Sequence, residues 1–181
     1  ANVNASQTQT MYGLVDDLSP PKGSNPVINP LRTNLQRQTF SVNADGSRVA
    51  TANSLDFSTK KGWYIDLPAT GERLDTHPTL AYSALVFNTN APSSDPCVPG
   101  GSSYLNMLDY QTGGYLEGSA GGKSSVRYAD TLANRAILIK LPNGTILALT
   151  RKSDATTAAG PGTPIGSGSG TTRKSWIELM Q

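Results

Sequence analysis

The stretch KGWYIDLPATGERLDTHP (Lys61–Pro78) combines two aromatic side chains, two aspartates, a Thr-Gly pair and the only histidine of the chain. Its first part is typical of a short β-strand, because aromatic and β-branched residues favour extended backbone. The proline and the Thr-Gly pair that follow are typical of a turn. The stretch is therefore either a catalytic cluster around His77 or one corner of a repeating β-structure.

A second stretch, NMLDYQTGG (Asn106–Gly114), repeats the order of the first. Each contains a strand that ends in aspartate and then a short turn closed by Thr-Gly. Such an aspartate can accept hydrogen bonds from the turn amides, while glycine adopts the positive φ that the turn requires. The interval between Asp66 and Asp109 matches the period of roughly 40–45 residues of β-propeller blades, each a four-stranded sheet. The sequence thus predicts a repeated blade motif with these members: Trp63, Asp66, Thr70, Gly71, Asp109, Thr112 and Gly113.

The composition favours a turn-rich β-protein over a helical one. Only 36% of the 181 residues are apolar, whereas the chain contains 18 glycines and 12 prolines. No segment longer than ten residues carries a convincing 3.6-residue apolar pattern. We therefore expect an all-β fold with long loops.

Charge and cysteine content exclude several kinds of site. The net charge is +2 and the 15 Lys and Arg residues are scattered, so the sequence lacks the concentrated basic face of a nucleic-acid-binding protein. The single cysteine, Cys97, excludes a zinc cluster of cysteines and a disulfide within the chain. No stretch approaches the roughly 20 apolar residues of a membrane span, and no signal peptide is visible. The low charge is typical of secreted or surface-exposed proteins, and the strand-like start is consistent with a processed or truncated piece.

Alternation and turn residues predict individual strands. Residues 35–55 form a hairpin that turns at Asp45-Gly46, because this pair supplies the positive φ of tight turns. Thr79–Thr89 is the most β-prone segment of the middle of the chain. Asn134–Leu141 begins the clearest hairpin. Because the run Ala136–Ile139 within it is apolar at every position, it predicts a strand that is buried on both sides.

The chain divides into three predicted parts. Residues 1–152 hold two or three antiparallel blades of a partial β-propeller. Residues 153–172, rich in Gly, Ser, Thr and Pro, cannot bury enough apolar area to offset the entropy of ordering, so a flexible segment is expected there. Residues 173–181 are apolar again and predict a terminal strand that docks on the core.

The ordered combination of motifs between residues 60 and 114, with the last ten residues, resembles the C-terminal β-propeller of the PilY family. These are large adhesin and biogenesis proteins linked to the tips of bacterial type IV pili. The matching motifs are Gly62-Trp63-Tyr64, Gly71-Glu72-Arg73, Phe87 with Thr89, Asp95-Pro96-Cys97, Gly100-Gly101, Leu108-Asp109, Thr112-Gly113 and Ser175-Trp176.

The resemblance implies a non-catalytic extracellular protein at the pilus tip, which acts in pilus assembly and cell adhesion. Its partners would be minor pilins, the remainder of its own parent chain, and host or abiotic surfaces. The chain has room for only two or three blades, so their edge strands would be left to pair with such partners. The calcium loop of the family has no counterpart, because the acids here lack the required ligand spacing. No cofactor or metal is expected.

Two reactive residues have competing interpretations. His77 would be a general base in an enzyme, but its place between Thr76 and Pro78 is typical of a surface turn. No serine has the Gly-x-Ser-x-Gly setting of a nucleophile elbow. Cys97 would be a nucleophile, a structural thiol or half of a disulfide. We favour a disulfide to a cysteine outside this chain, because an odd cysteine in an exported protein suggests a missing mate.

Two further features fit a scaffold better than a ligand site. Trp63 and Trp176 could form a sugar-binding platform, although tryptophans in such folds more often fill the core between blades. The run Gly160–Gly166 superficially resembles a phosphate loop, but its prolines remove amide donors and a linker is expected.

Three functions remain open from the sequence. The first is the pilus-tip adhesin and assembly factor. The second is a hydrolase or quinone-dependent enzyme on a propeller fold, which would require convergent acids and a deep pocket. The third is a structural filament or surface-layer subunit that assembles by itself.

Overall fold

The all-β class expected from the composition is confirmed. The structure is a computed structural model that describes residues 7–15, 31–93, 95, 100–117, 119, 122–142, 145–160 and 163–164. Within these residues, one turn of 3-10 helix (Leu31–Asn34) accompanies the strands. The strands are β1 (Thr10–Leu14), β2 (Gln36–Gln38), β3 (Phe40–Val42), β4 (Arg48–Ala50), β5 (Gly62–Asp66), β6 (Thr79–Ala81), β7 (Ala84–Pro92), β8 (Gly101–Asp109), β9 (Ser125–Tyr128), β10 (Ile137–Lys140), β11 (Thr145–Arg151), β12 (Thr157–Ala159) and β13 (Thr163–Pro164).

A six-stranded antiparallel sheet, here the central sheet, has the strand order β3-β4-β9-β8-β7-β6. Its longest strands, β7 and β8, pair along their whole length, from Ala84 opposite Asp109 to Pro92 opposite Gly101. Most of their side chains are buried on both faces. The central sheet is therefore covered on both sides.

Two smaller sheets cover the central sheet. The first flanking sheet has the order β1-β5-β2, and Trp63 and Ile65 of β5 pack against Phe87 of the central sheet. The second flanking sheet contains β10, β11, β12 and β13, and its Ala148 packs with Val86 of the central sheet. Successive residues of a strand point to opposite faces. Phe87 of β7 therefore packs into the core beneath the first flanking sheet, and Val86 into the core beneath the second. The result is three layers of sheet.

The described residues form no closed ring of sheets, and one pairing differs from the expected antiparallel blades. β2 pairs with β5 in parallel, with Gln36 opposite Trp63. Parallel neighbours need a long crossover connection, and residues 39–61 provide it by passing through the β3-β4 hairpin. The repeated sequence motif predicts antiparallel strands only. Strand β2 is three residues long, so its own pattern does not indicate a parallel partner.

The predicted hairpins are present, with one addition. The β3-β4 hairpin turns at Asp45-Gly46, where Gly46 has φ of 77°. The β-prone segment Thr79–Thr89 contains two strands, because the chain reverses inside it between β6 and β7. Tyr82 and Ser83 form that turn with φ of 50° and 69°. Neither residue is a usual choice for positive φ, so the turn carried no sequence signal.

Strand β10 is not buried on both sides, contrary to the prediction from its apolar run. It pairs with β11 as the predicted hairpin. Ala136 and Leu138 pack inward, but Ile137 is 66% exposed and Ile139 is 40% exposed. The second flanking sheet is an outer layer in the described part of the chain, so nothing described there lies over these isoleucines.

Part of the segment expected to be flexible forms strands. Thr157–Ala159 is β12 and pairs with β11, and Gly160 donates its N–H to the carbonyl of Ala148. Thr163–Pro164 also pairs with β11. Residues 165–181, and with them the predicted terminal strand at 173–181 and Trp176, lie outside the described residues. Cys97 lies outside them as well.

Candidate functional site: a buried polar centre beneath open sheet edges

The two copies of the sequence motif are in contact. Trp63 is 1% exposed, and its indole Nε1 donates a hydrogen bond of 2.9 Å to the carbonyl of Tyr110. Gly113 lies against the face of the same indole, where a Cβ atom would be 2.1 Å from Cδ2 of Trp63. Gly113 also has φ of 68°. Only glycine satisfies both conditions, so this contact explains the glycine at the end of the second copy.

The second copy of the motif has the expected turn geometry. The carboxylate Oδ1 of Asp109 accepts hydrogen bonds from the amides of Gln111 at 3.0 Å and Thr112 at 2.8 Å. It also accepts one from the hydroxyl of Thr112 at 3.0 Å. The amide of Gly113 completes the turn by donating to the carbonyl of Asp109.

The first copy differs in geometry. The carboxylate of Asp66 accepts hydrogen bonds from Arg32 at 2.8 and 3.1 Å and from the Thr10 hydroxyl at 2.6 Å. The extended chain continues beyond Asp66, because the amide of Leu67 still donates to the carbonyl of Gln9. The turn therefore begins after Leu67, and Asp66 does not accept hydrogen bonds from its amides. Asp66 and Asp109 occupy the same position in the sequence motif, but Asp66 binds Arg32 and Thr10 whereas Asp109 stabilises its own turn.

The environment of Asp66 favours its charged form. Burial raises the pKa of its carboxyl group, but the hydrogen bonds from Arg32 and Thr10 outweigh this effect, and the pKa is lowered overall. The pKa of Arg32 is raised, chiefly by its hydrogen bond to Asp66. This ion pair fixes β1 and the 3-10 helix to β5.

The Thr70-Gly71 turn directs Glu72 into the core. Thr70 is exposed and Gly71 has φ of 71°. The chain then reverses, and the carboxylate of Glu72 accepts a hydrogen bond from the amide of Ala69 at 3.1 Å. Glu72 is 1% exposed.

Glu72 and Arg48 form a bidentate ion pair inside the protein. Arg48 Nη1 and Nη2 lie 2.9 and 2.8 Å from the two carboxylate oxygens. The guanidinium carbon is 3.5 Å from the centre of the Tyr104 ring. Thr89 donates its hydroxyl to Glu72, and Asn106 donates to Thr89 at 3.0 Å. We call these five residues the buried polar centre.

A second polar group joins β7 to the second flanking sheet. The side chain of Asn90 donates to the carbonyl of Ala133 at 3.0 Å and accepts from its amide at 2.8 Å. Asn88 donates to the carbonyl of Asn134 and to the hydroxyl of Thr150. Asn88 and Asn90 point to the face opposite Thr89. The polar residues of β7 thus bind both neighbouring layers.

Of the two candidate catalytic residues, His77 and Cys97, only His77 lies in the described part of the chain. His77 is exposed and precedes β6. Among the described residues, no group of three or more His, Cys, Asp or Glu side chains could hold a metal ion. The described part also contains no helix that is long and apolar enough to cross a membrane.

Two largely apolar grooves open on the surface of the described part of the chain. A groove of about 690 Å³ lies where edge strand β6 meets edge strand β10. Leu80 and Tyr82, at this edge of the central sheet, are 60% and 53% exposed. A second groove, of about 400 Å³, lies over Trp63. Its lining residues are Gly13, Leu14, Val15, Phe57, Trp63, Tyr110 and Gln111.

The predicted blade motif includes Trp63 and Gly113 but does not predict that they touch, and no sequence motif indicates the buried polar centre. Glu72 belongs only to the Gly71-Glu72-Arg73 motif of the family resemblance. The remaining signal was the polar run Asn88-Thr89-Asn90 inside a strongly β-prone segment. Polar residues in a buried strand must be hydrogen-bonded, so this run could have indicated a network.

Known proteins similar to this chain are pilus biogenesis factors. The chain is 30% identical over 132 residues to "Type IV pilus biogenesis factor PilY1" of Pseudomonas aeruginosa strains PAO1 and PAK, a match that covers 63% of the chain. It is 31% identical over 139 residues, 71% of the chain, to a PilY1 homologue of Xylella fastidiosa strain Temecula1. The matches span only 11% and 9% of the lengths of these relatives. No family model and no solved structure matches the chain.

Proposed function

Because this chain belongs to the PilY family of type IV pilus biogenesis factors, we propose that it is a non-catalytic portion of such a factor. It would act outside the cell, at the pilus tip, in pilus assembly and adhesion. The observation that carries the proposal is the similarity to relatives from two genera over 63–71% of the chain.

The layered sheets support the further proposal that residues 1–152 are blades of a partial β-propeller. Propeller blades pack face to face, and here the flanking sheets cover both faces of the central sheet. The buried polar centre and the contact between Trp63 and Gly113 join the first flanking sheet to the central sheet. Two or three such layers do not close a ring.

Protein–protein contact through sheet edges is the proposed mechanism. Strand β6 ends the central sheet and β10 ends the second flanking sheet. An edge strand presents unpaired N–H and C=O groups, to which an extended segment of a partner can add as a further strand. Leu80, beside these groups, offers apolar contact area to a minor pilin or to the remainder of the parent chain.

The test is binding of purified minor pilins to the chain. We expect Leu80→Lys to weaken binding at least tenfold, because a charged side chain on an edge strand opposes strand addition. The matched control is Val42→Lys on β3, at the opposite edge of the central sheet, where Val42 is 59% exposed. Equal loss in both variants would contradict docking at β6, and absence of any pilin binding by the wild type would contradict the function.

A propeller-fold hydrolase or quinone-dependent enzyme is the alternative from another class. Activity that is lost in His77→Ala or Cys97→Ala would favour it, whereas a binding module should tolerate the first change. A self-assembling filament or surface-layer subunit is the third possibility. Electron microscopy of the purified chain without pilins would show its filaments or lattices.

Cys97 is proposed to form a disulfide with a cysteine outside this chain. The mass of the protein isolated from cells, measured intact and after reduction, tests this directly. A drop in mass on reduction would identify the attached partner, and an unchanged mass would show that the thiol is unpaired.

A further inference from the structure

The second flanking sheet carries an apolar cluster on the face that points away from the central sheet. Its members are Ile137 and Ile139 of β10 with Leu147 and Leu149 of β11, here called the outer face. Ile137 lies opposite Leu149 and Ile139 opposite Leu147, so the four side chains form a two-by-two square. The alternate residues, such as Leu138 and Ala148, pack into the core.

The outer face has the residue pattern of a buried surface, but no described residue packs over it. Ile137 and Ile139 are 66% and 40% exposed, and both leucines are half-buried. Sheets that face water on one side normally alternate apolar and polar residues, and β10 and β11 do not. A contiguous apolar patch on a soluble protein usually marks a contact site.

We propose that the C-terminal segment Ser175–Met180 of the same chain covers the outer face. Four of its six residues are large and apolar: Trp176, Ile177, Leu179 and Met180. The segment lies outside the described residues, and 17 residues follow the last described one, Pro164. This proposal concerns the packing of the chain itself and is independent of the pilus role.

The connection is long enough to allow this packing. Pro164 lies opposite Thr145 in the same sheet, on the side of β11 that faces away from β10. Residues 165–174 could span up to about 33 Å when extended, at roughly 3.3 Å per residue. Neighbouring strands are only about 5 Å apart, so the segment can reach every residue of the outer face.

Charge complementarity supports the same occupant. Arg135 and Arg151 line the groove beside Ile137. Glu178 is the only charged residue of Ser175–Met180. A carboxylate in the middle of this segment can approach these guanidinium groups while its apolar neighbours cover the square.

Cysteine cross-linking tests the proposal on the 181-residue chain. In a Cys97→Ser background, Ile139→Cys or Ile137→Cys is combined in turn with Ile177→Cys and with Leu179→Cys. We expect at least one pair to form a disulfide within a single chain when the dilute protein is oxidised. Val42→Cys, which replaces a more exposed side chain than Ile139 does but lies on β3, should form none with the same partners. The readout is the mass and mobility of the unreduced monomer.

Two results would overturn the proposal. Cross-links only between two chains would show that the outer face binds a second copy, and no cross-link with Ile139→Cys or Ile137→Cys would show that the segment lies elsewhere. A second measurement avoids engineered cysteines. Comparison of the wild type with Trp176→Phe isolates the fluorescence of Trp176. Ile139→Lys should increase the quenching of the Trp176 fluorescence by acrylamide several-fold, without altering the quenching of Trp63. No pilin is present in either assay, so failure here is separable from failure of pilin binding.

Discussion

Arg48 and Glu72 face each other through two parallel hydrogen bonds of 2.9 and 2.8 Å, with their side chains 2% and 0% exposed. Arg48 belongs to β4 of the central sheet, whereas Glu72 follows the first flanking sheet along the chain. The ring of Tyr104 covers the guanidinium group. Two layers of the fold therefore meet at one fully buried ion pair.

Removing one partner of this pair should be strongly destabilising. We expect Glu72→Leu to lower the free energy of unfolding by about 3–5 kcal/mol, because Arg48 would remain buried without a counter-charge. The double variant Arg48→Met/Glu72→Leu should recover much of the loss, since no buried charge remains. Urea unfolding measures both changes.

The matched control is Lys123→Met, which removes the ion pair of Lys123 with Asp45 at 2.6 Å. Both of its side chains are substantially exposed, so stability should hardly change. A double variant as unstable as Glu72→Leu alone would contradict the view that the uncompensated charge dominates the loss.

Gly113→Ala should destabilise the protein through a clash with Trp63. A Cβ atom there would lie 2.1 Å from the indole, at a residue with φ of 68°. Overpacking costs roughly 1–3 kcal/mol and the left-handed backbone roughly a further 1–2 kcal/mol. Gly122→Ala separates the two effects, because Gly122 has φ of 69° but no atom of the described residues lies within 4 Å of its Cβ position.

Thermal unfolding of the two alanine variants therefore gives a direct comparison. Gly122→Ala should show only the backbone cost, and Gly113→Ala a larger one. Near-ultraviolet circular dichroism should change in Gly113→Ala alone, because the indole must move. Equal destabilisation in both variants would show that the packing against Trp63 contributes nothing.

Local pattern was sufficient to predict the class of the fold and several of its strands. The β3-β4 hairpin, for example, follows from Asp45-Gly46 alone, because the positive φ of Gly46 is a property of two adjacent residues. The turn at Asp109 follows in the same way from a strand-end aspartate and a Thr-Gly pair. Such features depend on a few neighbouring residues and not on the rest of the molecule.

Features that depend on distant segments could not be predicted. The pairing of Arg48 with Glu72 requires that β4 lies beside the turn after β5, which no local pattern indicates. The same holds for Asp66, whose partner Arg32 belongs to a different segment. The wrong prediction for Ile137 and Ile139 has another cause. An apolar strand indicates that another segment covers it but does not indicate which segment.

Asn90→Ala should loosen the contact between β7 and the second flanking sheet. The variant loses bonds to both the amide and the carbonyl of Ala133, and one to Asp75 at 2.7 Å. Leaving buried polar groups unpaired costs about 1–3 kcal/mol each. Hydrogen exchange should accelerate most at the amide of Ala133.

The control for this variant is Asn53→Ala, because Asn53 is exposed and its amide group donates to the carbonyl of Arg37 at 2.9 Å. Its loss should leave exchange at Ala133 unchanged. If Asn90→Ala accelerates exchange uniformly across all three sheets, the asparagine stabilises the whole fold and not this contact.

The ion pair of Asp66 with Arg32 should make stability depend on pH in acid. The pKa of Asp66 is lower in the folded protein than its ordinary value of 3.8, so folding favours the charged form. This contribution is fully present above the unfolded pKa and is lost as pH falls through the folded pKa. Because Arg32 is half exposed, this contribution to stability is about 1 kcal/mol or less.

Unfolding by urea between pH 7 and pH 2 should therefore show Asp66→Asn less stable than wild type at neutral pH, with the difference shrinking below about pH 4. Arg32→Met should shift the Asp66 titration, followed by carboxyl NMR, towards higher pH. A stability difference that grows on acidification would reverse the sign of the argument and show that Asp66 is favoured in its protonated form.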